Sequence, residues 1–194
     1  EIASCLVGSE MCIRDSLNTV LNVRKMEVGQ STLHVQSIQL DEWAEQLISD
    51  FKPEASVRGI TLVYQPEPEI QTLCFDKEKC TTILTNLLIN ALKYTPDEST
   101  ISISTRLSED KRVRISISDQ GPGLKDVDTN NLFVRFYQGN NSRPGTGIGL
   151  SYSKILVEQH GGNIGAYDNK NFGSPGATFW FELPLLSLIH ISEP

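Results

Sequence analysis

The sequence predicts an α+β domain, one β-sheet with helices packed on one of its faces. Three observations carry this. Apolar residues recur with helical spacing at 40, 43, 44, 47, 48, 51 and 55, and again at 80, 83, 84, 87, 88, 91 and 92. Residues 100–106 and 112–118 alternate strongly around LSEDK, the pattern of a hairpin. Helical and strand-like runs are mixed along the chain, with no internal repeat. The 194 residues, 39% of them hydrophobic, suffice for one sizeable core. Seventeen Lys and Arg against 24 Asp and Glu give a net charge of −7, which disfavours a general nucleic-acid binder. No run reaches the roughly 18 apolar residues of a membrane span. Cysteines 5, 12, 74 and 80 form no CxxC pair and have no histidine pattern beside them. Reduced, packing thiols are expected rather than zinc.

In chain order, residues 1–16 and 186–194 read as foreign to the rest, and both are expected to be non-native flanks on a piece of a longer protein. Residues 17–28 read as the last turns of a helix ending at Gly29, and 31–39 as a short strand-like connector. The first amphipathic helix starts at Leu40 with Asp41 acidic in its first turn and ends at Gly59. Residues 60–64 and 71–75 are β-rich and flank the turn-prone QPEPE. Asp76 is a suitable N-cap for the second helix, which Thr95-Pro96 terminates. Residues 121–145 lack periodicity and are rich in Gly, Asn and Asp, so they are expected to form a long functional loop with a short helical turn around 132–137. Residues 147–160 should be helical, stopped by Gly161-Gly162. Residues 163–168 and 177–183 should be the final strands.

Three short stretches bear chemistry. On the second helix, Asn86, Asn90 and Lys93 fall within about 60° of one another, a polar stripe beside the apolar face. A lone asparagine there is ordinarily a solvated edge. Two in the middle of a helix carry a small propensity cost, and an amide carbonyl is a suitable oxygen ligand for Mg²⁺. Asp119 follows a strand and leads a turn with Gly121 and Gly123. As a plain β-turn this is common, but the carboxylate could accept from an exocyclic amine while the glycines admit close backbone approach. GTGIGL at 145–150 enters a helix and exposes N–H groups to an anion. It has neither the GK[ST] ending of a P-loop nor the strand-first GxGxxG of a Rossmann motif.

Taken together, NLLINALKYT, DQGPGL, LFVRFYQG, GTGIGLSYSK and GATFWFELP resemble, in order, the five ATP-site boxes of sensor histidine kinases. These are relatives of gyrase, Hsp90 and MutL. The resemblance covers about residues 17–185 and is most like hybrid two-component sensors of the Bacteroides type. It implies a two-layer α/β sandwich of the Bergerat type, a mixed sheet backed by helices, with a mobile lid over ATP. It divides the chain into the end of a dimerisation helix and linker (17–39) and an ATP-binding catalytic domain (40–185). By position, Asn90 would ligate Mg²⁺, Lys93 meet phosphate, Tyr94 stack on adenine and Asp119 read its amine. Gly121 and Gly123 would shape that wall, with Thr178 near the adenine. Phe133 and Phe136 would pin the lid, and Arg135 could reach the γ-phosphate. Gly145, Gly147 and Gly149, with Thr146, Ile148 and Leu150, would cradle the phosphates. Asn86, Lys93 and Arg135 form the implied catalytic set.

Two departures matter. Gln138 stands where many relatives have arginine, and Asn86 where hydrolysing relatives place a glutamate base. Asparagine cannot take a proton from water, which favours transfer to a protein acceptor. None of His34, His160 and His190 lies in an acceptor-like segment, so the acceptor is expected upstream of residue 17 in the parent. The implied partners are a dimerisation hairpin of the same protein and the receiver domain of a response regulator. The implied parent is a membrane-anchored homodimer with this domain in the cytoplasm. A gyrase-type ATPase and a non-catalytic nucleotide-binding or interaction domain are the rivals.

Overall fold

A computed structural model describes residues 32–108, 110–125, 127–129, 131–138 and 146–185. The expectations for both flanks, for the helix at 17–28 and for Gly145 lie outside the described residues. Among the described residues, seven strands and three α-helices occur in the order β1 (Val35–Gln39), α1 (Leu40–Val57), β2 (Thr61–Gln65), β3 (Thr72–Asp76), α2 (Lys77–Tyr94), β4 (Thr100–Leu107), β5 (Arg112–Ser118), α3 (Gly149–Gln159), β6 (Asn163–Asp168) and β7 (Ala177–Pro184). A short 3₁₀ helix, Asn169–Phe172, joins β6 to β7.

The main sheet has the order β2-β4-β5-β7-β6 and is mixed, with β2 and β4 parallel and the other pairs antiparallel. Its strands alternate as a half-buried sheet requires. Ile101 and Ile103 of β4, Val113, Ile115 and Ile117 of β5, and Phe179, Phe181 and Leu183 of β7 form a continuous buried face. All three helices pack against the sheet on the same core. The other face is polar and carries Arg114, stacked 4.0 Å over the Trp180 ring and paired with Glu182 at 2.9 Å.

On α2, every apolar position of the helical repeat is buried: Cys80, Ile83, Leu84, Leu87, Leu88, Ala91 and Leu92. Asp76 caps it, accepting from Lys79 N at 3.1 Å. Two features depart from expectation. First, β3 does not join the main sheet. It pairs antiparallel with β1, from Val35 opposite Asp76 to Gln39 opposite Thr72. Second, the helical turn expected at 132–137 is a string of single turns, with Val134 N bonded to Asn131 O and Tyr137 N to Val134 O. These i→i−3 bonds do not run consecutively, and Phe136 at φ +63° turns the chain out of helical conformation.

The β1–β3 pair ends in a buried junction. Asp76 accepts from His34 N at 2.9 Å and from Lys79 Nζ at 3.1 Å, and Lys79 Nζ also donates to Thr32 O. Burial opposes the ionisation of Asp76, but these hydrogen bonds outweigh it and hold its carboxyl below the usual range. Behind it, His160 closes α3. Its Nδ1 lies 2.7 Å from Leu156 O, which can only accept, so Nδ1 carries the proton and Nε2 accepts from Asp76 N at 3.1 Å. Burial lowers the His160 pKa, outweighing the Leu156 carbonyl and the Asp76 carboxylate, which favour the charged ring. The unfolded chain therefore binds a proton at His160 more readily than the folded chain. The stability that His160 contributes is complete above its ordinary value of about 6.5 and is lost as pH falls through the folded value. The urea midpoint should drop between pH 7.5 and 5.5, and the drop should be smaller in His160→Gln, whatever that variant's stability at pH 7.5. Equal drops in the two proteins would remove His160 from the account.

Candidate functional site

The candidate residues lie along the C-terminal half of α2, which the turn between β5 and β7 meets at Tyr94 and the start of α3 meets at Asn86. Asp119 leaves β5 on the helix-facing side and is buried. Its Oδ1 accepts from Gly121 N at 2.8 Å and Ala177 N at 3.2 Å. Both bonds end on one oxygen, which leaves Oδ2 to accept from a ligand. Burial raises the Asp119 carboxyl, the two N–H groups pull it back down, and the charge of Asp168 adds to the rise. Gly121 is required by proximity, since a Cβ there would lie 2.8 Å from Tyr94 O and 2.9 Å from Asp119 Oδ1. The turn after β5 is thus pressed against the end of α2. Gly123 lies against Asp168, whose Oδ2 accepts from Leu124 N at 2.8 Å.

Along α2, the stripe is differentiated. Asn86 donates to Gly149 O at 3.2 Å and to Ser153 Oγ at 3.1 Å, so its amide ties α2 to the first turn of α3. Asn90, one turn on, is half-buried. Lys93 Nζ sits 4.9 Å from the Tyr94 ring centroid, so the cation lies over the ring expected to stack on adenine. At the α3 entry, Thr146 is exposed and its Oγ1 accepts from Ile148 N at 3.4 Å. Ile148 is buried, while Gly149 and Leu150 are half-buried, with Leu150 packed on the core. The first N–H groups of α3 are donors without helical partners, a favourable end for an anion.

Phe133 packs on the core, but Phe136 is 72% exposed. Its backbone makes the contact: Phe136 N donates to Gly147 O at 3.0 Å, and a Cβ on Gly147 would lie 2.9 Å from Phe136 Cα. Arg135 is exposed in the same segment.

Thr178 is a correction. Alternation along β7 puts it opposite Ser118, on the sheet face away from Asp119, where its hydroxyl donates to Asn169 Oδ1 at 2.6 Å. The β7 residue on Asp119's side is Ala177, which contributes its N–H. Two residues that the motifs do not include also support the site. Asn169 is buried and donates from Nδ2 to Ser118 Oγ and Asp119 O, holding the loop before β7. Arg58 reaches the end of α2 from the corner after α1. No local pattern marks either residue, since their partners lie about 35 to 50 positions away.

Among the described residues there is no group of three or more His, Cys, Asp and Glu that could hold a metal ion. On α2 the half-buried Asn90 side chain offers a neutral carbonyl oxygen. A single neutral oxygen fits Mg²⁺, which keeps waters and takes its other ligands from phosphates.

A family profile described as "Histidine kinase-, DNA gyrase B-, and HSP90-like ATPase" matches residues 75–187, more than half of the chain. The chain is 35% identical over 179 residues to the sensor histidine kinase TmoS of Ectopseudomonas mendocina, covering 90% of this chain and 18% of that protein. It therefore spans less than a fifth of that relative's length. In structure it is similar to full-length ShkA in complex with AMPPNP, with TM-score 0.82 and 25% identity, covering 95% of this chain and 38% of the other. The histidine kinase ThkA in complex with the response regulator protein TrrA shares the fold at TM-score 0.70 and 21% identity, covering 90% of this chain and 49% of the other.

Proposed function

The chain belongs to the family of histidine kinase-, DNA gyrase B- and HSP90-like ATPases, and from that premise we propose that it is the ATP-binding catalytic domain of a two-component sensor histidine kinase. It binds Mg-ATP and directs the γ-phosphate to a histidine upstream in the parent protein, for relay to an aspartate on a response regulator. The observation that carries this reading is Asp119. Two backbone N–H groups fix one of its oxygens and the other is left to accept an adenine amine, beside the end of a helix that bears Asn90 and Lys93.

The residues have separable tasks. Asp119 orients the base and Gly121 lets the chain approach it. Lys93, Arg135 and the first N–H groups of α3, with Thr146, Gly147 and Ile148 leading into them, meet the phosphates. Gly123, Tyr94, Phe133 and Phe136 complete the enclosure. Mg²⁺, when bound through Asn90, neutralises charge on the phosphate oxygens. Phosphoryl transfer asks mainly for such positioning and neutralisation.

Asn86 favours transfer over hydrolysis. Its Nδ2 is committed to Gly149 O and Ser153 Oγ, and an amide cannot act as a base toward water. Among the described residues His160 is also unsuited to accept phosphate, because it is buried with both ring nitrogens engaged. The likeness to ThkA, solved with its response regulator, supports a receiver domain as the onward partner. No helix among the described residues is long and apolar enough to cross a membrane. A membrane-anchored, homodimeric parent with this domain on the cytoplasmic side is part of the same proposal.

Calorimetric titration with ATP, with and without Mg²⁺, tests the reading. Wild type should bind more tightly with Mg²⁺, and Asn90→Ala should bind equally in both conditions. A variant that keeps the wild-type metal dependence would show that Asn90 is a surface residue and nothing more.

A further inference from the structure

Arg58 lies in the corner between α1 and β2, outside every motif of the site. Its guanidinium engages three acceptors with three different nitrogens. Nη1 donates to Leu92 O at 2.5 Å, Nη2 to Thr95 O at 2.7 Å, and Nε to Asp97 Oδ1 at 2.8 Å. Leu92 O is among the last four carbonyls of α2, which have no helical donor of their own. A cation at that end also complements the helix dipole. The corner is fastened from its own side as well, because Glu98 N donates to Arg58 O at 3.0 Å.

The turn that Arg58 grips is the one that presents the site's base-facing wall. Lys93 and Tyr94 lie between Leu92 and Thr95, the two carbonyls it holds. Tyr94 O is the atom against which Gly121 is pressed, and Gly121 N is one of the two donors that orient Asp119. The Thr95 hydroxyl is buried and makes no hydrogen bond, and the backbone bond from Thr95 N to Ala91 O stops at the cap.

We infer that Arg58 is a positioning residue for nucleobase recognition: it fixes the end of α2 so that the Tyr94–Gly121 contact holds Asp119 in register with a purine 6-amino group. The inference rests on the nucleotide-binding reading above. A planar fork that reaches two carbonyls and a carboxylate at once cannot be replaced by lysine, whose ammonium is a point donor.

The test compares ATP with inosine triphosphate, which differs at the 6-position, where an oxo group replaces the amine. The affinity ratio is independent of the fraction of chain folded, so loss of stability alone leaves it unchanged. Wild type should prefer ATP. Arg58→Ala should weaken ATP binding about tenfold and leave inosine triphosphate within about twofold, so that the preference collapses; Arg58→Lys should fall between. Should Arg58→Ala lose its circular-dichroism signature, Arg58→Lys decides by the same ratio. Equal weakening of both nucleotides, or an unchanged ATP affinity, overturns the role of Arg58. A wild-type chain that binds neither nucleotide, or both alike, instead removes the adenine reading beneath it.

Discussion

Asp119→Asn should lower ATP affinity by about 10- to 150-fold while leaving the urea midpoint nearly unchanged. The asymmetry follows from how the side chain is held. Gly121 N and Ala177 N both donate to Oδ1, and an asparagine can keep its carbonyl oxygen in that place. The amide nitrogen then replaces Oδ2, so a donor faces the ligand's amine where an acceptor is needed. Losing a charge-assisted hydrogen bond costs about 1.5–3 kcal/mol, which is the fold-change stated. Stability has a reason to hold or rise, because burial disfavours the Asp119 charge and the substitution removes it. Isothermal titration alongside urea denaturation checks both halves. Wild-type affinity would take Asp119 out of the adenine site.

Gly176→Ala should have the largest effect on the fold. A Cβ at this position would lie 1.9 Å from Asp119 O and 2.6 Å from Asp119 C, and Gly176 has φ +91°. Neither neighbour is the end of a flexible side chain, so the backbone of β7 or of the Asp119 turn has to move. Overpacking and the left-handed conformation together should cost about 2–5 kcal/mol. Binding should fail with it, because the same movement breaks the bond from Ala177 N to Asp119. Urea denaturation should show the loss, and a variant within about 1 kcal/mol of wild type would mean that the two strands are not this close.

The parts of the fold that were legible in the sequence are those decided locally. The second helix announces itself through its cap at Asp76 and its apolar spacing, and all seven of those positions are buried. The β4–β5 hairpin is equally local, with strands separated by a short turn. What was not legible depends on distant partners. Nothing near residues 35–39 says that they pair with residues 72–76, or that β2 and β4 run parallel across an intervening strand and helix.

The candidate site divides in the same way. Asp119 and the glycine turns stand out because tight backbone approach restricts residue type. Thr178 shows the hazard of position without register, since a shift of one residue in a strand reverses the face. The threonine lies behind the sheet and Ala177 lies in front. Asn169 and Arg58 have no local signature, because each acts on carbonyls that only the folded chain brings within reach.

On the proposed function, this chain supplies nucleotide and catalysis to a histidine carried elsewhere. The most direct measurement is incubation with ATP labelled at the γ-phosphate, with and without a separately made dimerisation hairpin bearing the acceptor histidine. Alone, the chain should retain almost no acid-labile label. With the hairpin, acid-labile label should appear on the hairpin and not on this chain, slowly, because tethering normally supplies a high effective concentration of the acceptor. Strong acid-labile label on this chain alone, lost in His160→Ala, would contradict the account.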